Sequence, residues 1–133
     1  MAETFKVEVV AADRLVWEGD AVSVIARTTE GDIGILANHE PVIAPLVPSA
    51  AEITTADGRR EIIAVEGGFL SVTLSRCAII APFAQLAHEV TLAEAEAELR
   101  DAQKKMDDGD ISDETTRHFH RASAQLKALE RTR

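Results

Sequence analysis

The sequence predicts a β-sandwich or barrel followed by an antiparallel two-helix hairpin. Three observations carry that expectation. All four prolines (Pro41, Pro45, Pro48, Pro82) and six of the seven glycines precede residue 90, and only Gly109 follows it. Punctuated sequence followed by unpunctuated sequence reads as strands and turns, then helices. Before residue 90 the apolar residues recur with period two, and after it they step by three and four.

In the first part, Phe5, Val7 and Val9 share one face of a strand, with Lys6 and Glu8 on the other. Val22 and Val24 repeat the pattern around Ser23. Residues 53–55 and 61–65 flank Ala56-Asp57-Gly58-Arg59, a hairpin whose Asp-Gly pair supplies the positive φ of a tight turn. Glu66-Gly67-Gly68 makes another sharp turn. Phe69, Ser71 and Thr73 then alternate with Leu70, Val72 and Leu74, and residues 77–81 form a short apolar run ended by Pro82. Short strands at roughly 8–12-residue spacing mean an antiparallel sandwich or barrel.

In the second part, Thr91-Leu92-Ala93-Glu94 has the spacing of a capping box. Leu92, Ala95, Leu99, Ala102 and Met106 form one stripe. Gly109 suits the left-handed position that ends a helix, and Ser112 or Asp113 can cap the next. Phe119, Ala122, Leu126 and Leu129 form the second stripe. Both stripes are rich in alanine, so the helices can approach closely but bury little area, and the hairpin is weakly held.

Of 133 residues, 46% are hydrophobic, enough for a core. Alanine supplies 22 of them, and the aromatics are only Phe5, Trp17, Phe69, Phe83 and Phe119. A core this thin in bulky side chains suits a chain that belongs to something larger. The net charge of -9 excludes nonspecific nucleic-acid binding, which needs a basic footprint, and direct docking or insertion into anionic lipid. The charge is uneven. Residues 113–133 carry five basic side chains (Arg117, Arg121, Lys127, Arg131, Arg133) against three acids, whereas residues 1–90 are strongly acidic. The basic helix reads either as a solvated face whose cations sit near the negative end of the helix dipole or as a surface for an acidic partner. The N-terminal residues 1–6 show no secretory signal, and the single cysteine, Cys77, allows no internal disulfide and fits a reducing compartment.

No phosphate-binding loop or nucleophile elbow is present. His118 and His120 lie two apart, which places them on different sides of a helix and not as a metal pair. Cys77 precedes an apolar run with no nearby histidine and reads as a buried thiol. No catalytic residue, cofactor or metal is expected. The most unusual stretch is residues 30–41, which interleaves small, acidic and apolar residues and ends in His39-Glu40-Pro41. It reads either as a connection that fixes strand register or as an exposed edge that meets a partner.

Three blocks in order resemble the epsilon subunits of F-type ATP synthases. They are Glu30-Gly31-Asp32-Ile33-Gly34-Ile35-Leu36 with His39-Glu40-Pro41 and Pro48, then Glu66-Gly67-Gly68-Phe69-Leu70-Ser71-Val72 with the strand 78–81, then the helical hairpin after residue 90. The opening residues 7–19 are similar to actinobacterial members. The resemblance covers nearly the whole chain. It implies a sandwich of about ten strands over residues 1–88, which binds the gamma subunit and the polar loops of the c-ring, and a regulatory helical hairpin over 89–133. It implies a non-catalytic central-stalk role at the cytoplasmic face of the membrane, peripheral, coupling proton flow and ring rotation to ATP synthesis. Glu30, Gly31, Asp32, His39 and Pro41 are then the interface to the c-ring and gamma. Arg117, Arg121, Lys127 and Arg131 face acidic segments of the alpha/beta catalytic head when the hairpin extends and blocks ATP hydrolysis. The alternative is a free-standing sandwich that binds a sugar or peptide, against which the scarcity of aromatics and the absence of Tyr argue.

Some members of that family bind ATP between the two helices through a motif like [IL]-D-x-x-R-A. Here the matching stretch is Leu92-Ala93-Glu94-Ala95-Glu96-Ala97, with Ala93 in place of the acid and Glu96 in place of the arginine. On the second helix Arg121 matches an arginine, but Gln125 replaces another. A carboxylate at a phosphate position repels the ligand. Titrating ATP into the isolated chain is therefore expected to show weak binding or none; a micromolar isotherm would overturn this.

Overall fold

A computed structural model describes residues 3–133; the first two residues of the N-terminal segment read above lie outside it. Nine strands come first: β1 (Phe5–Ala11), β2 (Leu15–Thr28), β3 (Gly31–Leu36), β4 (Val42–Pro45), β5 (Ser49–Thr55), β6 (Arg60–Val65), β7 (Phe69–Thr73), β8 (Arg76–Ala81) and β9 (Ala84–Leu86). A 3-10 turn, Ala87–Glu89, leads to helices α1 (Leu92–Asp107) and α2 (Asp113–Arg131). The strands hydrogen-bond in the order β4-β7-β8-β1-β2-β5-β6-β9, with β3 pairing β2 off that path. Every pairing is antiparallel except β1 with β8.

The resemblance implies about ten strands, and nine are found among the described residues. The longest of them is β2, at 14 residues. Its first half pairs β1, its second half pairs β3, and β5 joins it along its middle. The β1–β2 register shifts at Val9/Val10, and the β2–β5 register shifts between Ala21 and Ser23. Such bulges bend and twist a strand. They let the hydrogen-bonded path turn over and enclose a core of Phe5, Val7, Val9, Val24, Ile35, Ile53, Ile63, Val65, Leu70, Val72 and Ile79. The bulge also corrects one expectation. Val22 does not share the buried face with Val24; Ala21, Val24 and Ala26 are buried, and Val22 is half-buried.

The other expected patterns appear where the period placed them. Phe5, Val7 and Val9 are buried, as are Leu70 and Val72, whereas Leu74 sits exposed in the β7–β8 turn. Gly58 closes the β5–β6 hairpin at φ 88. Strands β4 and β9 were not expected from the pattern. β4 is short and lies at the end of the path, where Pro45 needs no ladder donor.

In the helical part, Gly109 ends α1 at φ 97. The Ser112 Oγ accepts the Thr115 backbone N–H at 3.3 Å, as expected of an N-cap. Asp110 accepts from the Ser112 N–H and the Thr115 hydroxyl, which holds its carboxyl below the usual carboxylate range. The expected capping box at Thr91 does not form. The Thr91 side chain makes no capping bond, so its carbonyl, accepting from Ala95 N–H at 3.0 Å, and Glu94 near the positive helix end carry the start of α1.

Gly68 is where the backbone has no alternative. Its φ is 90, and a Cβ there would lie 2.1 Å from the Ile80 carbonyl oxygen and 2.7 Å from Ala81 Cα. Gly58 also has positive φ but opens to solvent. Gly68→Ala is expected to destabilise the fold by about 3 kcal/mol or more, summing left-handed strain and overpacking. Gly58→Ala should cost about 1–2 kcal/mol from strain alone. Urea midpoints compare the two; equal costs would show that the close approach at Gly68 is irrelevant.

Candidate functional site

The residues read as one interface segment fall at two ends of β3. Glu30 lies in the two-residue β2–β3 turn, and Gly31 and Asp32 open β3. The Thr28 hydroxyl donates to the Gly31 carbonyl at 2.8 Å and accepts from the Glu30 N–H at 3.0 Å. Asp32 is paired to Arg27, Nε to Oδ1 at 2.9 Å, which leaves exposed Glu30 as the uncompensated carboxylate of the turn among the described residues. His39 and Pro41 follow the other end of the strand. The His39 N–H closes a turn onto Leu36 O at 3.2 Å, with Asn38 left-handed at φ 66. Five residue steps separate Gly31 from Leu36, about 17 Å along a strand. The stretch is therefore an edge strand with a polar tip at each end, not a single loop. Its pairing with β2 alone leaves one side of its backbone without a ladder partner.

A second surface was missed in the sequence. Pro45 pairs Phe69, Phe69 pairs Ile80, Ile80 pairs Val10, and Val10 pairs Leu15, across β4, β7, β8, β1 and β2. Directly paired residues point to the same face. These five thus form a continuous apolar row on the outside of the sheet, about 19 Å long at the usual strand spacing. Phe69 is 54% exposed, Ile80 51% and Leu15 50%, and neighbouring Ile43 is 74% exposed. A contiguous apolar patch of this kind marks an interaction surface. The signal was present: β4 and β8 carry apolar residues on both faces, as a strand covered on both sides does.

The third surface is the seat of the hairpin. Helix α2 lies on β5, β6 and the 3-10 turn, while α1 packs chiefly on α2. A helix with two neighbours needs two buried faces, so the single expected stripe is incomplete. Ala122 is buried and Phe119, Leu126 and Leu129 are half-buried, but Ala124 and Ala128, outside the stripe, are fully buried against Ala50, Ile62, Ala64 and Ala87. Along α1, Ala95 and Ala102 are buried, Leu99 and Met106 half-buried, and Leu92 exposed.

With the hairpin folded down, three of the four basic residues named above, Arg121, Lys127 and Arg131, contact the sandwich. The Arg121 guanidinium stacks 4.3 Å above the Phe83 ring. Lys127 Nζ donates to the Pro48 carbonyl at 3.2 Å, and Arg131 Nη1 lies 4.0 Å from Glu52 Oε1. Arg117 is exposed. Between them Gln125 Nε2 donates to Gln85 Oε1 at 2.8 Å. Ala93 and Glu96, where a nucleotide motif would need an acid and an arginine, are exposed on α1. Cys77 is fully buried, and burial pushes its thiol up to about 12, as in an inert core cysteine.

A small sandwich with an exposed apolar row, a charged edge tip and a lightly seated helical hairpin defines a protein built to meet other proteins. The model for the ATP synthase delta/epsilon chain β-sandwich domain matches residues 4–87. An ATP synthase epsilon chain of Cutibacterium acnes is 40% identical, covering 92% of this chain and 90% of its own length. Another, from Streptomyces avermitilis, is 40% identical over 97% and 98%. The chain belongs to the ATP synthase epsilon-chain family. Among solved structures, a chain of the Euglena gracilis mitochondrial ATP synthase OSCP/F1/c-ring assembly shares the fold at TM-score 0.75 and 21% identity, over 97% of this chain and 81% of that one. A chain of the Tetrahymena thermophila mitochondrial ATP synthase central stalk and c-ring matches at TM-score 0.60 and 15% identity, over 96% and 98%.

Proposed function

We propose that this chain is a non-catalytic central-stalk subunit of a proton-translocating F-type ATP synthase. In this role it couples c-ring rotation to the catalytic head, and its hairpin restrains ATP hydrolysis. The observation that carries the reading is the apolar row Pro45, Phe69, Ile80, Val10, Leu15, which a solvated monomer has no reason to keep. We assign it to the gamma subunit. His39 and Pro41 lead directly into β4, the strand at one end of that row, and belong to the same contact. The opposite tip, Glu30, Gly31 and Asp32, is assigned to the polar loops of the c-ring, where the free Glu30 carboxylate suits basic side chains.

On this reading residues 1–88 form the stalk-binding unit and residues 89–133 the regulatory one. Rotation needs a rigid connection, and the sandwich supplies it: both proposed contacts are made by strands of one hydrogen-bonded sheet. No helix among the described residues is long and apolar enough to cross a membrane. The chain is held peripherally at the cytoplasmic face through its protein partners. When the hairpin extends, Arg117, Arg121, Lys127 and Arg131 meet acidic segments of the alpha/beta head. The relatives named epsilon chains, similar over nine-tenths of their length, support the assignment.

Two measurements test it. Phe69→Glu combined with Ile80→Glu is expected to weaken binding to gamma at least tenfold, as loss of central apolar anchors does, with the circular dichroism unchanged. Undiminished affinity would move gamma off this face. Removing residues 89–133 is expected to raise ATP hydrolysis by the assembled complex, and unchanged hydrolysis would leave only the coupling role.

A further inference from the structure

Among the described residues, three buried side-chain polar atoms make no hydrogen bond: Glu66 Oε1, Arg121 Nε and Gln125 Oε1. All three belong to one place in the fold. Glu66 continues the β6–β9 ladder by one residue, its N–H donating to the Phe83 carbonyl at 3.0 Å. Cross-strand partners point to the same face, and so do residues two apart, so Glu66 and Phe83 stand beside the pair Ala64 and Gln85. Ala64 packs with Ala124 and Ala128, and Gln85 Oε1 accepts from Gln125 Nε2, so this is the face under α2. From the helix, Arg121 lays its guanidinium 4.3 Å over the Phe83 ring, and Gln125 follows one turn later on the same side. Glu66 is 7% exposed, yet no ion pair within 4.0 Å joins it to Arg121. Ala64, Ala124 and Ala128, their apolar neighbours in the seam, carry no side chain long enough to reach between them.

The orphaned set is one donor, the Arg121 Nε–H, and two acceptors, the Oε1 atoms of Glu66 and Gln125. Buried polar groups left unpaired lose their hydration without return, so the set calls for an occupant. That occupant must accept once and donate twice. A halide only accepts, and it would meet the Glu66 carboxylate. A sodium or ammonium ion cannot accept from a guanidinium, and it would sit beside a like charge. A water molecule does both, and about three hydrogen bonds to otherwise unpaired buried groups is the usual complement of an internal water. We infer that Glu66, Arg121 and Gln125 enclose a structural water, which accepts from Arg121 Nε–H and donates to Glu66 Oε1 and Gln125 Oε1. The contacts around it already aim these atoms. The bond from Gln125 Nε2 to Gln85 turns the amide oxygen away as the free end. The Phe83 ring holds the guanidinium by its face and leaves the Nε edge open to the water. Glu66 then has a purpose at a buried position where it makes no direct bond: it is the sandwich's one ligand to a water otherwise held by the helix.

The test uses the full chain and two measurements. A crystal structure that resolves ordered solvent is expected to show one peak at about 2.5–3.2 Å from all three atoms. Oxygen-17 relaxation dispersion, which counts long-lived internal waters in solution, is expected to lose one such water in Glu66→Met. That variant keeps the length of the side chain and removes its acceptors. Glu66→Gln keeps an acceptor oxygen at the same reach and should retain the parent's count. A dry site in the crystal would overturn the inference, as would a direct bond between Glu66 and Arg121. Anomalous signal at that point after a bromide soak would overturn it by placing a halide there. An unchanged count in Glu66→Met would do the same in solution. The crystal measurement is made on the parent chain, so it decides the matter even if Glu66→Met does not fold.

Discussion

Strand β2 is the constraint on which the rest of the structure depends. Its hydrogen bonds run to β1 on one side, to β5 on the other, and to β3 near its end, so three strands take their register from it. The register shifts it makes with β1 and β5 turn a flat path into two facing layers. The same bend exposes the outside of β4-β7-β8-β1 on one side and leaves β3 as a free edge on another. The proposed partner surfaces are consequences of how this one strand is paired.

Inside the sandwich, bulk is concentrated where two layers meet. Ile35, Ile53, Ile63, Leu70 and Ile79 are fully buried there and dominate the core. At the outer seat of the hairpin, alanine replaces them. Close packing of small side chains loses little water-exposed apolar area, so directional polar contacts govern that seam. The contrast gives the molecule a densely packed body and a lightly packed hairpin. The proposed roles of rotating connector and regulatory segment draw on these two properties.

Much of this was legible along the chain. Alternation placed Phe5, Val7, Val9, Leu70 and Val72 inside, and the Asp-Gly pair placed the β5–β6 turn. Gly109 and Ser112 fixed the helix boundaries through left-handed backbone and side-chain capping. Legibility failed at Val22, because a bulge resets the period without any residue that announces it. It failed at Ala124 and Ala128, because one stripe describes a helix with one neighbour and α2 has two. It failed at Thr91, where the spacing of a capping box was present and the side-chain bond was not.

By itself the sequence determined that strands come first and two helices follow, the faces of several strands, turn positions that favour glycine, and the family through its ordered motifs. Those depend on local chemistry: alternation, capping and permitted φ. Only the tertiary structure decided that Pro45, Phe69, Ile80, Val10 and Leu15 stand side by side, since cross-strand register joins residues up to 70 positions apart. It alone separated Glu30 from His39 by the length of a strand. It alone showed Arg121, Lys127 and Arg131 engaged by the sandwich, because a cation's partner is chosen by the surface folded beneath it and not by its neighbours in the chain.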